Sequence, residues 1–398
     1  MNYFTVWARG QNSLWYEAGK LEFGSGSFAF RYMDAWLANS WTYSLDPVHL
    51  PLAPAIYYAR NQQELLPLFK QLLPQGWAAE LFAVRQKASA NRTLISQFKQ
   101  LPESLNSVRL TLAGAQLNEL ILPSWEEMEL YCQMAKTQSP QDWPIARYLA
   151  VLSGGCWQGS RPKITLQGAP NLWLAKWQIA GDKINWPQVE YASMQLMQQA
   201  GFSVPSRHLI PLENSVWVYL IERFDQHKQA PCYFVPASVL LNPQQSMANN
   251  FDAREDPTSY IAFARCLRKY SSQAKTDLID LFRRMLANLL LNNTQDTLSK
   301  LGLVYTIKTQ QWRLSPCFGI RPSIEASGLH SMAMGSEGRI GSLKNALSLA
   351  KEFGLNSAQA EAILAELKEA LAAWNEVFDH CGVSGIDRQL IGSALKYF

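Results

Sequence analysis

Asn288-Leu289-Leu290-Leu291-Asn292-Asn293-Thr294-Gln295-Asp296-Thr297-Leu298-Ser299-Lys300-Leu301-Gly302, followed by Trp312-Arg313-Leu314-Ser315-Pro316-Cys317-Phe318-Gly319-Ile320-Arg321-Pro322-Ser323, is the stretch on which the fold turns. An apolar run passes into a polar segment that places an amide (Gln295), a carboxylate (Asp296) and an ammonium (Lys300) close together. The chain around it, from about residue 226 onward, reads as mainly helical. The clearest helix is expected from Ser357 to Phe378, where Ile363, Leu367, Leu371, Trp374 and Phe378 recur at three- and four-residue spacing, so one face is buried. Asn356 can cap it, with Gln359 reaching back as in a capping box.

Upstream the pattern is β-rich. Phe4–Ala8 and Ser27–Arg31 have period-two character, with Gly19, Gly24 and Gly26 punctuating the chain between them. Residues 62–86 turn helical, residues 86–107 are polar and read as a connection, and 120–150 read as loop followed by helix. Ile164–Leu166, Leu172–Trp177 and Val216–Ile221 are strands. Residues 187–200 form a helix, with Pro187 in its first turn and Gly201 just past its end. There is no internal repeat and no low-complexity segment.

Length and composition bound the answer. The chain has 398 residues, 48% hydrophobic and 17% charged, enough for two or three domains with a large core and too apolar for disorder. Net charge is +4 without a long basic run, so no direct nucleic-acid face is indicated. The six cysteines are scattered, with no CxxC pair and no clustered histidines, which argues against zinc and fits a reducing compartment. No secretory signal pattern opens the chain, and no run reaches the ~18 apolar residues of a membrane span. A cytoplasmic protein is expected.

Four segments in order carry a resemblance. Ser153-Gly154-Gly155-Cys156-Trp157-Gln158-Gly159-Ser160-Arg161-Pro162-Lys163 is rich in glycine, which lets backbone N–H groups approach phosphate oxygens, and basic at its end. Its plain alternative is a β-turn. Lys176 sits inside an apolar strand, where an ammonium needs a partner or a route to solvent. Glu190 opens the following helix. Ile221-Glu222-Arg223-Phe224-Asp225 follows a strand. With the opening stretch, these segments resemble the motifs of the HipA kinase-like family: the glycine-rich run that covers nucleotide phosphates, the strand lysine and helix glutamate, the inter-lobe hinge and the catalytic and metal-binding loops. The likeness covers nearly the whole chain. Asn293, Thr294, Asp296, Gly302, Trp312, Arg313, Leu314, Pro316 and Phe318 match the family frame residue for residue.

The resemblance implies an α+β, two-lobed, protein-kinase-like fold, with a HipA-type N-terminal subdomain over 1–110, a kinase-like N-lobe over 111–225 and a helical C-lobe over 226–398. It implies that Gly154, Gly155, Gly159, Ser160, Lys163 and Lys176 serve the phosphates, that Glu190 holds Lys176 in place, and that backbone groups of Glu222 and Phe224 meet the adenine edge.

The departures fall on the chemistry. The family's catalytic aspartate aligns with Gln295, its following histidine with Thr297, its metal-binding asparagine with Lys300 and its second metal-binding aspartate with Gly319. Reading Cys317-Phe318-Gly319 as an Asp-Phe-Gly motif still leaves the acid missing. An amide cannot take a hydroxyl proton at neutral pH, which removes about 10²–10⁴-fold of general-base help. Mg²⁺ wants oxygen ligands, glycine has none, and a protonated lysine cannot ligate. Asp296 is one residue from the expected base position, and Lys300 can stand in for lost metal charge. His330, Arg339 and the helix-ending Asp379-His380 are read as structural or solvated.

The expectation is a pseudokinase, with phosphoryl transfer lost or strongly impaired. It would hold ATP weakly or without metal, lack a Mg²⁺ site, and act by binding in a toxin–antitoxin-like setting. The resemblance implies a small DNA-binding antitoxin as partner and a translation protein such as an aminoacyl-tRNA synthetase as target. The competing readings are an active serine/threonine kinase that uses Asp296 or Lys300 in unusual roles, and another phosphoryl or nucleotidyl transfer on the same scaffold.

Overall fold

In the computed structural model the described residues are 2–24, 27–59, 64–86, 93–138, 142–155, 158–168, 170–179, 181–212, 216–227, 232–243, 252–325 and 328–398. Cys156 and Trp157 of the glycine-rich run, Gly26, and the polar residues Lys87, Asn91 and Arg92 lie outside them. The chain divides into two compact units. The first comprises Met1–Ala180, Leu220–Val235 and Tyr305–Gln310, and the second Gly181–Tyr219, Pro236–Val304 and Gln311–Phe398.

The first unit opens with an antiparallel five-stranded sheet in the order β4-β3-β2-β1-β5, made of β1 (Tyr3–Arg9), β2 (Trp15–Gly24), β3 (Ser27–Tyr32), β4 (Ile56–Tyr58) and β5 (Arg109–Leu112). The five residues Phe4 to Ala8 of the central strand β1 are all buried. Both faces are therefore covered, and Trp7 finds its hydrogen-bond partner in the Thr111 hydroxyl, 2.9 Å away. The helical stretch expected over 62–86 is two pieces, Pro67–Lys70 and Gly76–Gln86. The expected connection after it contains a further helix, Leu94–Gln100, whose first turn is capped by Thr93 accepting from the Ser96 N–H. That helix was hidden because a single buried residue, Phe98, anchors it. The helices Met128–Thr137 and Ile145–Ser153 precede the hairpin of β6 (Lys163–Gln167) and β7 (Leu172–Trp177). By this division β8 (Arg207–Pro211) falls in the second unit, and β9 (Trp217–Glu222) belongs to the first from Leu220 onward. The end of β9 is tied to the hairpin where Arg223 N–H donates to the Leu172 carbonyl at 2.9 Å.

The second unit is built on the helix Ala274–Leu290, whose Leu281, Phe282, Met285 and Leu286 are fully buried. Helix Trp186–Gln199 begins at an Asn185 cap with proline in its first turn, and the chain leaves it through Gly201 at φ +81°. The capping box of Asn356 and Gln359 is present. The long helix expected to Phe378 is instead two, Ser357–Ala372 and Trp374–His380, because the backbone opens at Ala373, where ψ is 9°. Trp374 then packs edge-on against Phe378, 5.7 Å between ring centres. Among the described residues no helix is long and apolar enough to cross a membrane.

Candidate functional site

The glycine-rich run lies in the first unit, between helix Ile145–Ser153 and β6. Gly155 and Gly159 take φ of +66° and +88°, conformations that other residues rarely adopt. Downstream, Lys163 and Lys176 are direct partners in the antiparallel pairing of β6 with β7, so the two side chains leave the same face of the hairpin side by side. The Lys163 ammonium donates to the Gln158 carbonyl, which aims it back at the glycine run. Like charges placed opposite one another weaken a sheet unless an anion or another group offsets them.

Arg223 is the buried anchor of this region. It is only 4% exposed, and its guanidinium donates to Asp225 (2.6 Å), the Gly154 carbonyl (2.5 Å) and the Leu105 carbonyl (3.0 Å). Burial works against the Asp225 carboxylate, but Arg223 and the surrounding donors outweigh it and hold the carboxyl below its usual range. Of the expected hinge pair, Glu222 accepts from the Asn171 amide at 2.6 Å, and the Phe224 carbonyl accepts from the Cys232 thiol at 2.9 Å.

The second unit holds Glu190, Gln295, Asp296, Lys300 and Gly319. Glu190 is buried in helix Trp186–Gln199. Asp296 is turned into the interior: it is 4% exposed, and its carboxylate accepts from the Tyr260 hydroxyl at 2.6 Å and the Asn288 amide at 2.8 Å. The Asn288 oxygen in turn accepts from Asn293 at 2.8 Å. Burial raises the Asp296 carboxyl above its usual range, against the pull of Lys300 and these donors. Gln295 points the other way and is exposed. Arg321 approaches its side-chain oxygen at 3.4 Å while lying over the Trp186 ring at 4.2 Å. These three residues line a pocket of about 210 Å³ together with Lys183 and Ser323.

Lys300 lies beside Gly319 in the second unit. Its ammonium donates to the Gln295 carbonyl at 3.0 Å, and its aliphatic stem runs past Gly319. A Cβ on Gly319 would lie 3.3 Å from Lys300 Cδ, and that glycine has φ +71°. Neither residue has a side-chain oxygen, Asp296 faces inward, and among the described residues no cluster of three or more His, Cys, Asp or Glu suited to a metal is present. This set does not fit Mg²⁺. Cys317, next to it, is buried, and its thiol is pushed up to about 12.

Residues 156–374 match the HipA-like C-terminal domain, and residues 6–101 match the HipA N-terminal domain. The chain belongs to the HipA family. Its structure is similar to that of HipA from Shewanella oneidensis MR-1, solved with HipB and operator DNA, at TM-score 0.71 and 13% identity, over 99% of this chain and 95% of that one. The Helicobacter pylori proinflammatory kinase CtkA is matched at TM-score 0.44 and 13% identity, over 58% of this chain and 88% of that one. No curated protein sequence matches. This HipA-family chain shares the fold of that Shewanella HipA, a mixed α+β architecture with antiparallel sheets.

Within that fold the first unit contains Gly154, Gly155, Gly159, Ser160, Lys163, Lys176, Glu222 and Phe224, and the second contains Glu190, Gln295, Asp296, Lys300 and Gly319. His330 is 6% exposed, and burial lowers its pKa to about 4. Arg339 pairs with Asp256 at 2.9 Å. Sequence reasoning missed Tyr260, Asn288 and the stacked Arg321–Trp186 pair. No spacing rule links those positions, since each contact is made across separate elements.

Proposed function

We propose that this HipA-family protein is a pseudokinase that holds ATP in its first unit without a divalent metal and acts through binding rather than phosphoryl transfer. The observation that supports the reading is Lys300: its stem runs against Gly319 and its ammonium sits on the Gln295 carbonyl, at two positions that the motif resemblance aligns with the family's metal ligands. Deprotonation of an acceptor hydroxyl has no agent there, because Gln295 is an amide and the Asp296 carboxylate is bonded to Tyr260 and Asn288. The glycine run with Lys163 and Lys176 supplies backbone donors and positive charge for the phosphates. Carbonyl and N–H groups near Glu222 and Phe224 supply the adenine contacts. The Shewanella HipA structure contains HipB and operator DNA, and by analogy the partner proposed here is a small DNA-binding antitoxin.

Thermal shift tests the reading directly. A ligand at a hundredfold excess over its Kd adds about 2.7 kcal/mol to apparent stability. ATP in EDTA is expected to raise Tm at least as much as ATP with Mg²⁺, and Lys176→Ala should diminish the gain. Intact mass after incubation with Mg·ATP should show no added phosphate on Ser153, Ser160 or elsewhere. A strict need for Mg²⁺, or a clear gain of one phosphate, would refute the proposal.

A further inference from the structure

Both shoulders of the glycine-rich run are clasped by segments from much earlier in the chain. At its far end, Trp77 N–H donates to the Gly159 carbonyl at 3.3 Å. Gly76, at φ +52°, lies so close that a Cβ on it would stand 2.3 Å from that carbonyl oxygen and 3.1 Å from the Ser160 nitrogen. At its near end, Leu105 N–H donates to the Ser153 carbonyl at 2.8 Å. A Cβ on Gly155 would stand 2.5 Å from the Leu105 carbonyl oxygen and 2.7 Å from the Asn106 Oδ1. Arg223 closes that end by donating to both Gly154 and Leu105. Backbone meets backbone at each shoulder, and glycine is what permits the approach. A free β-turn needs no such support from residues some eighty positions away.

We propose that Gly76–Trp77 and Leu105–Asn106 are positioning residues that hold the glycine-rich run in the shape that receives phosphates, and that Gly76 is the point on which the far shoulder depends. This rests on the nucleotide reading above. The clasp makes phosphate affinity a property of the N-terminal segment as well as of the loop itself. Anything that shifts residues 76–77 or 105–106 changes nucleotide affinity without touching the nucleotide.

A matched pair of substitutions separates position from strain. Gly76→Ala and Gly114→Ala both force alanine into a left-handed conformation, since Gly114 has φ +78°, but around Gly114 nothing lies within 4 Å of a new Cβ. Gly76→Ala is expected to weaken ATP binding about tenfold, within the usual range of coupling between linked sites. It should also speed amide hydrogen exchange in the peptide spanning 153–163 in nucleotide-free protein. Gly114→Ala should leave both at wild-type values. Unchanged or tighter ATP binding by Gly76→Ala, with wild-type exchange in that peptide, overturns the proposal. Failure of the wild-type chain to bind ATP would defeat the nucleotide reading alone, because the exchange comparison would still decide the clasp. Should Gly76→Ala fail to fold, the wild-type chain decides: added ATP must slow exchange at the Trp77 and Leu105 amides together with the loop, and protection of the loop without them overturns the clasp.

Discussion

Placing an acid at position 319 alone should not create a metal site. Gly319→Asp meets three obstacles. A side chain at φ +71° costs about 1–2 kcal/mol, with aspartate at the lower end. The new Cβ lies 3.3 Å from Lys300 Cδ, so the lysine stem must give by a few tenths of an ångström. The carboxylate then stands beside the Lys300 ammonium, and a partly exposed pair of this kind returns at most about 1 kcal/mol. The net expectation is a loss near 1 kcal/mol, or about 2–4 °C in Tm for a cooperative unit of this size. The new acid pairs with Lys300 instead of facing a metal ion. Adding Lys300→Asn frees the carboxylate and adds an amide oxygen, and Gln295→Asp supplies the base. The assays are Tm with and without Mg²⁺ and transfer of labelled phosphate from ATP. Single variants should show neither a Mg²⁺-dependent shift nor transfer, because base and metal ligands act as a unit. The triple variant should show both. Mg²⁺-dependent turnover by Gly319→Asp alone, at a rate near the triple variant's, would refute the role given to Lys300.

The remaining expectations concern buried charge. Asp296→Asn keeps an acceptor for Tyr260 and Asn288 while removing a carboxylate whose ionisation burial disfavours. Its Tm at neutral pH should equal or exceed wild type, with the gain shrinking as the solution is acidified toward the ordinary carboxylate range; a large loss at neutral pH would mean the ionised carboxylate is needed. Arg223→Ala strands Asp225 among buried groups and should cost about 3–5 kcal/mol in denaturant unfolding. Because the Asp225 carboxyl is held low, its contribution is full above the unfolded value near 4 and lost as pH falls through the folded one, so the variant's deficit should narrow in acid. His330 titrates from 6.5 in the unfolded chain to about 4 in the fold, so its share of stability is full above about pH 6.5 and lost on descending toward 4. The loss amounts to roughly 3 kcal/mol, and His330→Asn should remove that slope from urea titrations.

What the sequence disclosed and what it concealed follow a physical division. The helix cap at Asn356, the first-turn proline of helix Trp186–Gln199 and the strands around Lys176 were legible because capping, φ restriction and period-two patterning act between near neighbours. The one-residue break at Ala373 was not, because the apolar stripe continues across it, with Leu371 and Phe378 both buried. At the candidate site the motif frame singled out Gln295, Lys300 and Gly319, but the sequence could not say which way adjacent side chains point. Asp296 and Gln295 are neighbours with opposite fates, one bonded to Tyr260 in the interior and the other exposed beside Arg321. The decisive contacts, Lys300 on Gly319 and Gly76 on Gly159, are defined by an absent Cβ. A glycine whose importance lies in what approaches it leaves the same letter in the sequence as Gly114, around which the space is empty. That is why the two substitutions predicted to differ most in effect, Gly76→Ala and Gly114→Ala, are written identically in residue type and in backbone conformation, and differ only in the company the structure gives them.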